Sequence, residues 1–285
     1  MKISYLGPQG TFSEEAVHKW MAWQKEQAEC SPQRDIPQVF SCVAEGSAQL
    51  GVIPVENSIE GTVNIALDLI TENQEMHIVG EVVLPVEQNL VMHKKCSPEA
   101  LEGLHFIYSH PQAFAQCGKF LRERLSHCEL RQTGSTAEAA QMVAALKDDS
   151  AAGICSSFAA GKYDLFIIAR GIHEFPNNKT RFLIIGKQPC QKQELMAEGK
   201  TSLVFSLEVD RPGGLYHVLQ GFAEANINLT KIESRPLKQE LGRYLFYLDC
   251  EGWSWEEKLG EVISGLQEKT SFVRILGTYP KAHGG

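Results

Sequence analysis

Asn178-Lys179-Thr180-Arg181-Phe182 sets a hydroxyl, a fixed cation and an aromatic ring in consecutive positions, directly before the apolar run Leu183-Ile184-Ile185-Gly186. A guanidinium grips a carboxylate through two parallel N–H···O bonds, and a hydroxyl beside it can donate to a departing oxygen. The pattern suits an anionic substrate that must lose oxygen. Two other stretches are dense in small polar residues: Gly7-Pro8-Gln9-Gly10-Thr11-Phe12-Ser13 and Pro54-Val55-Glu56-Asn57-Ser58-Ile59-Glu60-Gly61-Thr62. No His/Asp or Cys/His constellation accompanies them. His110 stands alone, and a lone histidine is more often structural. The eight cysteines are scattered without a CxxC pair, and no His cluster completes a metal site, so the sequence predicts reduced thiols, no metal and no cofactor.

These residues must be positioned by an α/β framework. Apolar strands at 2–6, 50–53 and 105–108 each run into a polar turn and then a helix. Ser13 is the expected N-cap of the first helix, with Glu14 and Glu15 in its first turn. Pro111 suits the start of another. Ser135-Thr136-Ala137-Glu138 reads as a capping box, followed by an apolar face of Ala139, Met142, Val143 and Leu146. Strand, polar turn and helix start recur at 7–13, 54–62, 109–116 and 134–138. Ligands of open α/β sheets sit beyond the carboxyl ends of the strands, where helix N-termini offer free N–H groups to anions. Any one such turn is ordinarily just a cap; four rich in Thr, Ser, Asn and Gln could line one cleft without a lysine cluster.

The 285 residues carry a formal net charge of −8 and no basic cluster longer than a pair, which argues against nucleic acid and anionic membranes as partners. No apolar run approaches the ~18 residues of a membrane span, and the N-terminus enters a strand at once, so a cytoplasmic protein is expected. A polar linker at 188–199 separates a second region. There the pattern is βαββαβ, ferredoxin-like: a strand at 201–209, the turn Arg211-Pro212-Gly213-Gly214, a helix with an apolar stripe from Leu215 to Ala223, strands at 228–236 and 244–250, a helix behind the capping box Ser254-Trp255-Glu256-Glu257, and a strand at 272–278.

The three motifs quoted first, taken together, resemble the signature of the prephenate dehydratase family, and the resemblance runs from Met1 to about Pro280. It implies a two-lobed, periplasmic-binding-protein-like α/β catalytic domain over residues 1–188 and an ACT regulatory domain over 200–280. It implies decarboxylative dehydration of prephenate to phenylpyruvate. Thr180 would donate to the leaving hydroxyl, and Arg181 would clamp a carboxylate. Phe182 would pack on the ring, and Glu56, Asn57, Ser58, Thr11, Ser109, Gln116 and Thr136 would surround the substrate. Glu56 beside a dianion would be repulsive unless paired, so its expected place is against Asn57, Thr180 or Arg181. Pro212-Gly213-Gly214-Leu215 and Glu233-Ser234-Arg235-Pro236 resemble the phenylalanine-binding motifs of that ACT domain. The effector set implied is Gly213, Gly214, Leu215, Asn228, Glu233, Ser234 and Arg235, in a homodimer or homotetramer built through ACT domains. Gly214 stands where the family usually has Ala. Two other readings fit the residues: an arogenate dehydratase, and a two-lobed ligand sensor without turnover.

Overall fold

The computed structural model describes residues 1–93, 98–191, 198–208, 211–237 and 243–282. Val209, linker residues 192–197 and Cys96, all part of the sequence reading, lie outside these. The architecture is mixed α/β, as expected, with three sheets.

The first sheet gathers β1 (Lys2–Leu6), β2 (Glu29–Gln33), β3 (Leu50–Asn57), β4 (Gly61–Thr62), β5 (His77–Pro85) and β11 (Lys179–Gly186). Its order is β2-β1-β3-β11-β5, with β4 paired to β3. Helices α1 (Phe12–Gln24) and α2 (Ile36–Ala44) connect its parallel strands, and α3 (Asn64–Glu72) follows β4. The second sheet has order β10-β6-β9-β7-β8, from β6 (Asn89–Met92), β7 (Phe106–Ser109), β8 (Glu129–Gln132), β9 (Ala151–Cys155) and β10 (Phe166–Ala169). Its helices are α4 (Pro111–Gln116), α5 (Gly118–Arg124), α6 (Thr136–Leu146) and α7 (Ser157–Lys162). Strand β9, Ala-Ala-Gly-Ile-Cys, is buried throughout, as a central strand covered on both faces must be. The third sheet has order β13-β14-β12-β15, from β12 (Gly199–Leu207), β13 (Leu229–Pro236), β14 (Tyr244–Glu251) and β15 (Thr270–Pro280); α8 (Gly214–Glu224) and α9 (Glu257–Gln267) complete the βαββαβ unit.

The chain falls into two compact units: Met1–Ala66 with Val82–Phe182, and Leu67–Glu81 with Leu183–Gly284. In the first, one apolar cluster packs Leu90, Ile107, Leu121 and Ile154, and another packs Tyr108, Val143 and Leu165. In the second, Leu203, Phe205, Val218, Phe222, Leu248 and Ile263 form the core between sheet and helices. Among the described residues no helix is long and apolar enough to cross a membrane.

Three helix starts refine the sequence reading. Thr11, not Ser13, caps α1: its backbone is extended and its hydroxyl accepts from Glu14 N at 3.4 Å, while Ser13 is buried in the first turn. Ser135 caps α6 as expected, accepting from Glu138 N at 3.0 Å, but Glu138 returns to Gly134 N rather than to the cap residue. Ser254 does not cap α9. The helix begins only at Glu257, and Ser254 N is tied to Thr278 Oγ1 at 3.2 Å.

In the second unit, polar groups replace apolar packing where α3 and β5 meet the ferredoxin-like sheet. Arg274 of β15 spreads its guanidinium over the end of α3 and the following turn. Nη1 donates to Ile70 O and Thr71 O, both at 3.0 Å; Nη2 donates to Asn73 O, Gln74 O and Met76 O at 2.9, 3.2 and 2.7 Å. A helix C-terminus leaves four carbonyls without intrahelical partners, and one arginine fork answers several of them. Lys200 and Glu81 form a buried ion pair at 2.7 and 2.9 Å, and Glu81 also accepts from Ala282 N at 3.0 Å. Gly277 has no room for a side chain: a Cβ there would fall 2.1 Å from Ile78 O. Replacing Arg274 by Met keeps the apolar stem and removes the fork. It is expected to cost about 2–4 kcal/mol, read as a lower urea midpoint at unchanged slope.

Candidate active site

The first unit holds a cleft of about 390 Å³. Leu6, Gly7, Thr11, Phe12 and Ser13 come from the end of β1 and the start of α1, Arg34 from the end of β2, and Pro54 and Asn57 from β3. His110, Gln112, Ala113 and Gln116 follow β7, and Gly134, Ser135 and Thr136 follow β8. Val86 and Gln88 join β5 to β6, and Thr180 and Phe182 come from β11. All four polar turns singled out in the sequence contribute, from the carboxyl ends of their strands.

Thr180 is held by Asn57, whose Nδ2 donates to Thr180 Oγ1 at 2.8 Å and to Asn178 Oδ1 at 2.9 Å. The Asn57 carbonyl is occupied too, accepting from Ile59 N and Glu60 N, both at 3.0 Å. Asn57 is therefore saturated and fixed. Because Thr180 Oγ1 accepts this bond, its own hydrogen points away from Asn57 and is available to the cleft. Ser58 locks the same corner: its N donates to Lys179 O at 2.9 Å, and its hydroxyl accepts from Lys179 N at 3.0 Å and donates to Asn178 Oδ1 at 3.3 Å. Ser58 braces the site without lining it.

Strand alternation divides the other expected residues. Thr180 and Phe182 share the cleft face of β11, so Arg181 between them points to the opposite face. There its Nη1 lies 3.9 Å from Glu56 Oε2, on the strand neighbour of Asn57 that also points away. Neither Arg181 nor Glu56 is among the residues that line this cleft. Ser109 is fully buried at the end of β7 and donates to Ile154 O at 2.8 Å. Thr11 lines the cleft, yet its hydroxyl is engaged with Leu6 O and Pro8 O at 3.1 and 3.0 Å. Gln116 and Thr136 line the cleft.

Positive potential comes from elsewhere. The N-termini of α1 and α6, helices of 13 and 11 residues, both open onto the cleft with their dipole ends, although Glu14 N and Glu138 N of their first turns are taken by the capping hydroxyls of Thr11 and Ser135. Arg34 is the cation the sequence reading passed over. Its Nε bonds Asp35 Oδ2 at 3.1 Å, which leaves both Nη groups for a ligand, while Asp35 Oδ1 caps α2 at Gln38 N (2.8 Å). The signal was its place one residue past a parallel strand's carboxyl end. His110, set aside from sequence, also lines the cleft. Its Nδ1 accepts from Gln112 N at 3.3 Å, so the neutral ring carries its proton on Nε2, as a donor. Among the described residues no group of three His, Cys, Asp or Glu could hold a metal ion. Lys162 at the end of α7 donates to Glu14 Oε1 in the first turn of α1 at 2.7 Å, and the following Tyr163 OH donates to Gln9 O in the β1–α1 turn at 2.8 Å.

Residues 3–190 match the family described as prephenate dehydratase, and residues 201–252 match the ACT domain. This chain belongs to the prephenate dehydratase family. It is 39% identical over 278 residues to the prephenate dehydratase of Methanocaldococcus jannaschii, covering 98% of this chain and 97% of that one. A crystal structure of the Arthrobacter aurescens prephenate dehydratase in complex with L-Phe superposes with a TM-score of 0.85 at 32% identity, covering 99% and 90%. The structure of GqqA, described as a novel type of quorum quenching acylase, reaches the same TM-score at 28% identity, covering 99% and 98%. As a prephenate dehydratase with an ACT domain, the chain is an enzyme of the carbon–oxygen lyase class.

Arg34→Ala is expected to raise KM about 10-fold with kcat within about threefold, the pattern that loss of an anchor away from the breaking bonds would give. Steady-state kinetics on the substrate checks this.

Proposed function

We propose that this enzyme converts prephenate to phenylpyruvate, CO2 and water for L-phenylalanine synthesis, and that the cleft of the first unit is where it does so. The observation that carries the reading is the Thr180 hydroxyl on the cleft wall, held as an acceptor by Asn57 Nδ2 at 2.8 Å, which directs its own hydrogen away from Asn57. Prephenate has two carboxylates and one ring hydroxyl. Aromatisation drives the reaction, so the protein must supply orientation, a donor at the departing oxygen and exclusion of water. Only the pyruvyl carboxylate survives in the product. It is the one to anchor, and Arg34 with the N-termini of α1 and α6 suits it. The ring carboxylate sheds its charge as CO2, which an apolar wall of Leu6, Phe12, Val86, Ala113 and Phe182 favours. The ring C–O bond breaks as Thr180 donates to the oxygen, which leaves as water with one proton drawn ultimately from solvent. The electron pair of the C–CO2 bond completes the ring. Threonine is a weak acid, so its role is a positioned hydrogen bond rather than full proton transfer. Gln116 and Thr136 contact substrate; Asn57 and Ser58 position Thr180; Glu56 and Arg181 brace the strand pair from behind.

An acylase with Thr180 as its nucleophile would need that hydroxyl activated by a base. The partner of Thr180 is a carboxamide N–H, which is not one.

The ACT region, residues 200–280 beside a catalytic region of 1–188, is proposed to bind L-phenylalanine as feedback inhibitor in a homodimer or homotetramer of a cytoplasmic enzyme. β13 ends its sheet, and on its helix-bearing face Ile232 is 47% exposed, which supports docking of a second copy. Within one chain β13 splits the expected effector set. Ser234 faces the helix side, paired with Phe246, whereas Arg235 lies on the opposite face, bonded to Asp68 of α3 at 2.7 Å. Glu233, on the face of Arg235, pairs with Lys231 at 3.1 Å. Ser234, with Gly213, Gly214 and Leu215 at the start of α8, therefore suits the effector best; Arg235 suits transmission toward α3.

Two measurements test this. Thr180→Val should lower kcat for prephenate by about 10²–10³-fold at preserved fold, and unchanged kcat would remove Thr180 from the chemistry. L-Phenylalanine should inhibit the full chain, and Ser234→Trp should keep basal kcat within about twofold while weakening inhibition about 10-fold or more. Deleting residues 200–285 is a poor substitute, because it strips Arg274 and Lys200 from α3 and β5.

A further inference from the structure

Two buried glutamines of the cleft wall each carry a side-chain carbonyl without a protein donor. Gln88 is 3% exposed and Gln116 is 4% exposed; the Oε1 of each is buried and has no protein donor. Both residues line the cleft that holds Thr180. One segment clamps them to a common wall: Ile172 N donates to Gln88 O at 2.9 Å, and Glu174 N donates to Gln116 O at 2.8 Å. His173 Nδ1 between them accepts from Gln88 N at 3.3 Å. Two residues of extended chain span roughly 7 Å, so the two side chains leave the same short stretch of wall. A buried acceptor without a donor destabilises a fold. Two of them in one cleft indicate that a ligand brings the donor.

Given the reading above, prephenate offers only one such donor, because its carboxylates are ionised and its keto group carries no proton. We infer that Gln88, together with Gln116, accepts the hydrogen of the substrate's ring hydroxyl, so that the oxygen turns its lone pairs toward Thr180. Gln88 is thereby a catalytic residue that sets which way the leaving group is presented. The same carbonyls then hold the product water: after C–O cleavage the oxygen keeps its original hydrogen on the glutamine side, and its second proton is the one drawn ultimately from solvent. No bond to the protein is made or broken. Sequence alone gave no hint of Gln88, which lies between two strands and outside every motif.

The test is Gln88→Met, which keeps length and apolar volume but removes the acceptor, measured beside wild type by prephenate kinetics and thermal melting. The expected result is kcat down about 10-fold or more with KM within about threefold, and a Tm equal to or above wild type, since an unpartnered buried acceptor has been removed. A merely structural residue would lower Tm together with activity, and that outcome overturns the inference. Unchanged kcat in an active enzyme removes Gln88 alone. If wild type itself fails on prephenate, the functional reading falls and takes this inference with it. Arogenate is the control, because its ammonium is a second donor. A defect in Gln88→Met seen with arogenate and not with prephenate assigns the carbonyls to the ammonium, contradicting the assignment to the hydroxyl.

Discussion

The hydrogen bond from Asn57 Nδ2 to Thr180 Oγ1 is the constraint on which the site depends. It joins the ends of β3 and β11, and it works only because both ends are fixed. Asn57 is pinned by two backbone amides through its carbonyl, and Thr180 by the paired contacts of Ser58 with Lys179. Asn178, 3% exposed, sits beneath, taking Nδ2 of Asn57 on its Oδ1 while its backbone carbonyl accepts from Val86 N at 2.8 Å. That last bond connects the corner to the segment that carries Gln88. A hydroxyl is a poor acid, and in the proposed mechanism preorganisation would compensate for it, with the donor's direction set before substrate arrives.

Charge is handled by the same economy. A cleft with a lysine cluster would hold both carboxylates of a dianion too well, including the one that must leave as neutral CO2. In the proposed site, helix N-termini and one arginine at a strand end would provide a graded field instead. The guanidinium that the motif advertises, Arg181, lies behind the sheet against Glu56. In the second unit the guanidinium of Arg274 and the Lys200–Glu81 pair fasten α3 and β5 to the ferredoxin-like sheet, and Arg235 reaches Asp68 on α3 from β13. Arg235 thus ties β13 directly to α3, which is the route the proposed regulation would use.

Much of this was legible in the sequence. Period-2 strands, capped helices and the recurrence of strand, polar turn and helix start were enough for the α/β framework and pointed to one shared cleft, while the two lobes came from the family resemblance. The βαββαβ unit followed from two apolar stripes between alternating strands. What escaped was direction. Thr180 and Arg181 read as a unit because they are adjacent, yet neighbours on a strand face opposite ways, a rule available from the apolar run that follows them. Thr11 and Ser109 have residue types suited to substrate but satisfy backbone carbonyls instead, which depends on contacts no local pattern encodes. Arg34 and Gln88 were missed for the converse reason: each sits in an unremarkable turn, and only the fold brings it to the cleft.

The most direct test is a double-mutant cycle on kcat for prephenate with Asn57→Ala and Thr180→Val. If Asn57 acts through Thr180, the double variant is no slower than Thr180→Val alone, because the orientation of an absent hydroxyl no longer matters. If the two losses multiply, Asn57 works independently of Thr180, and the account of the site built on their hydrogen bond is wrong.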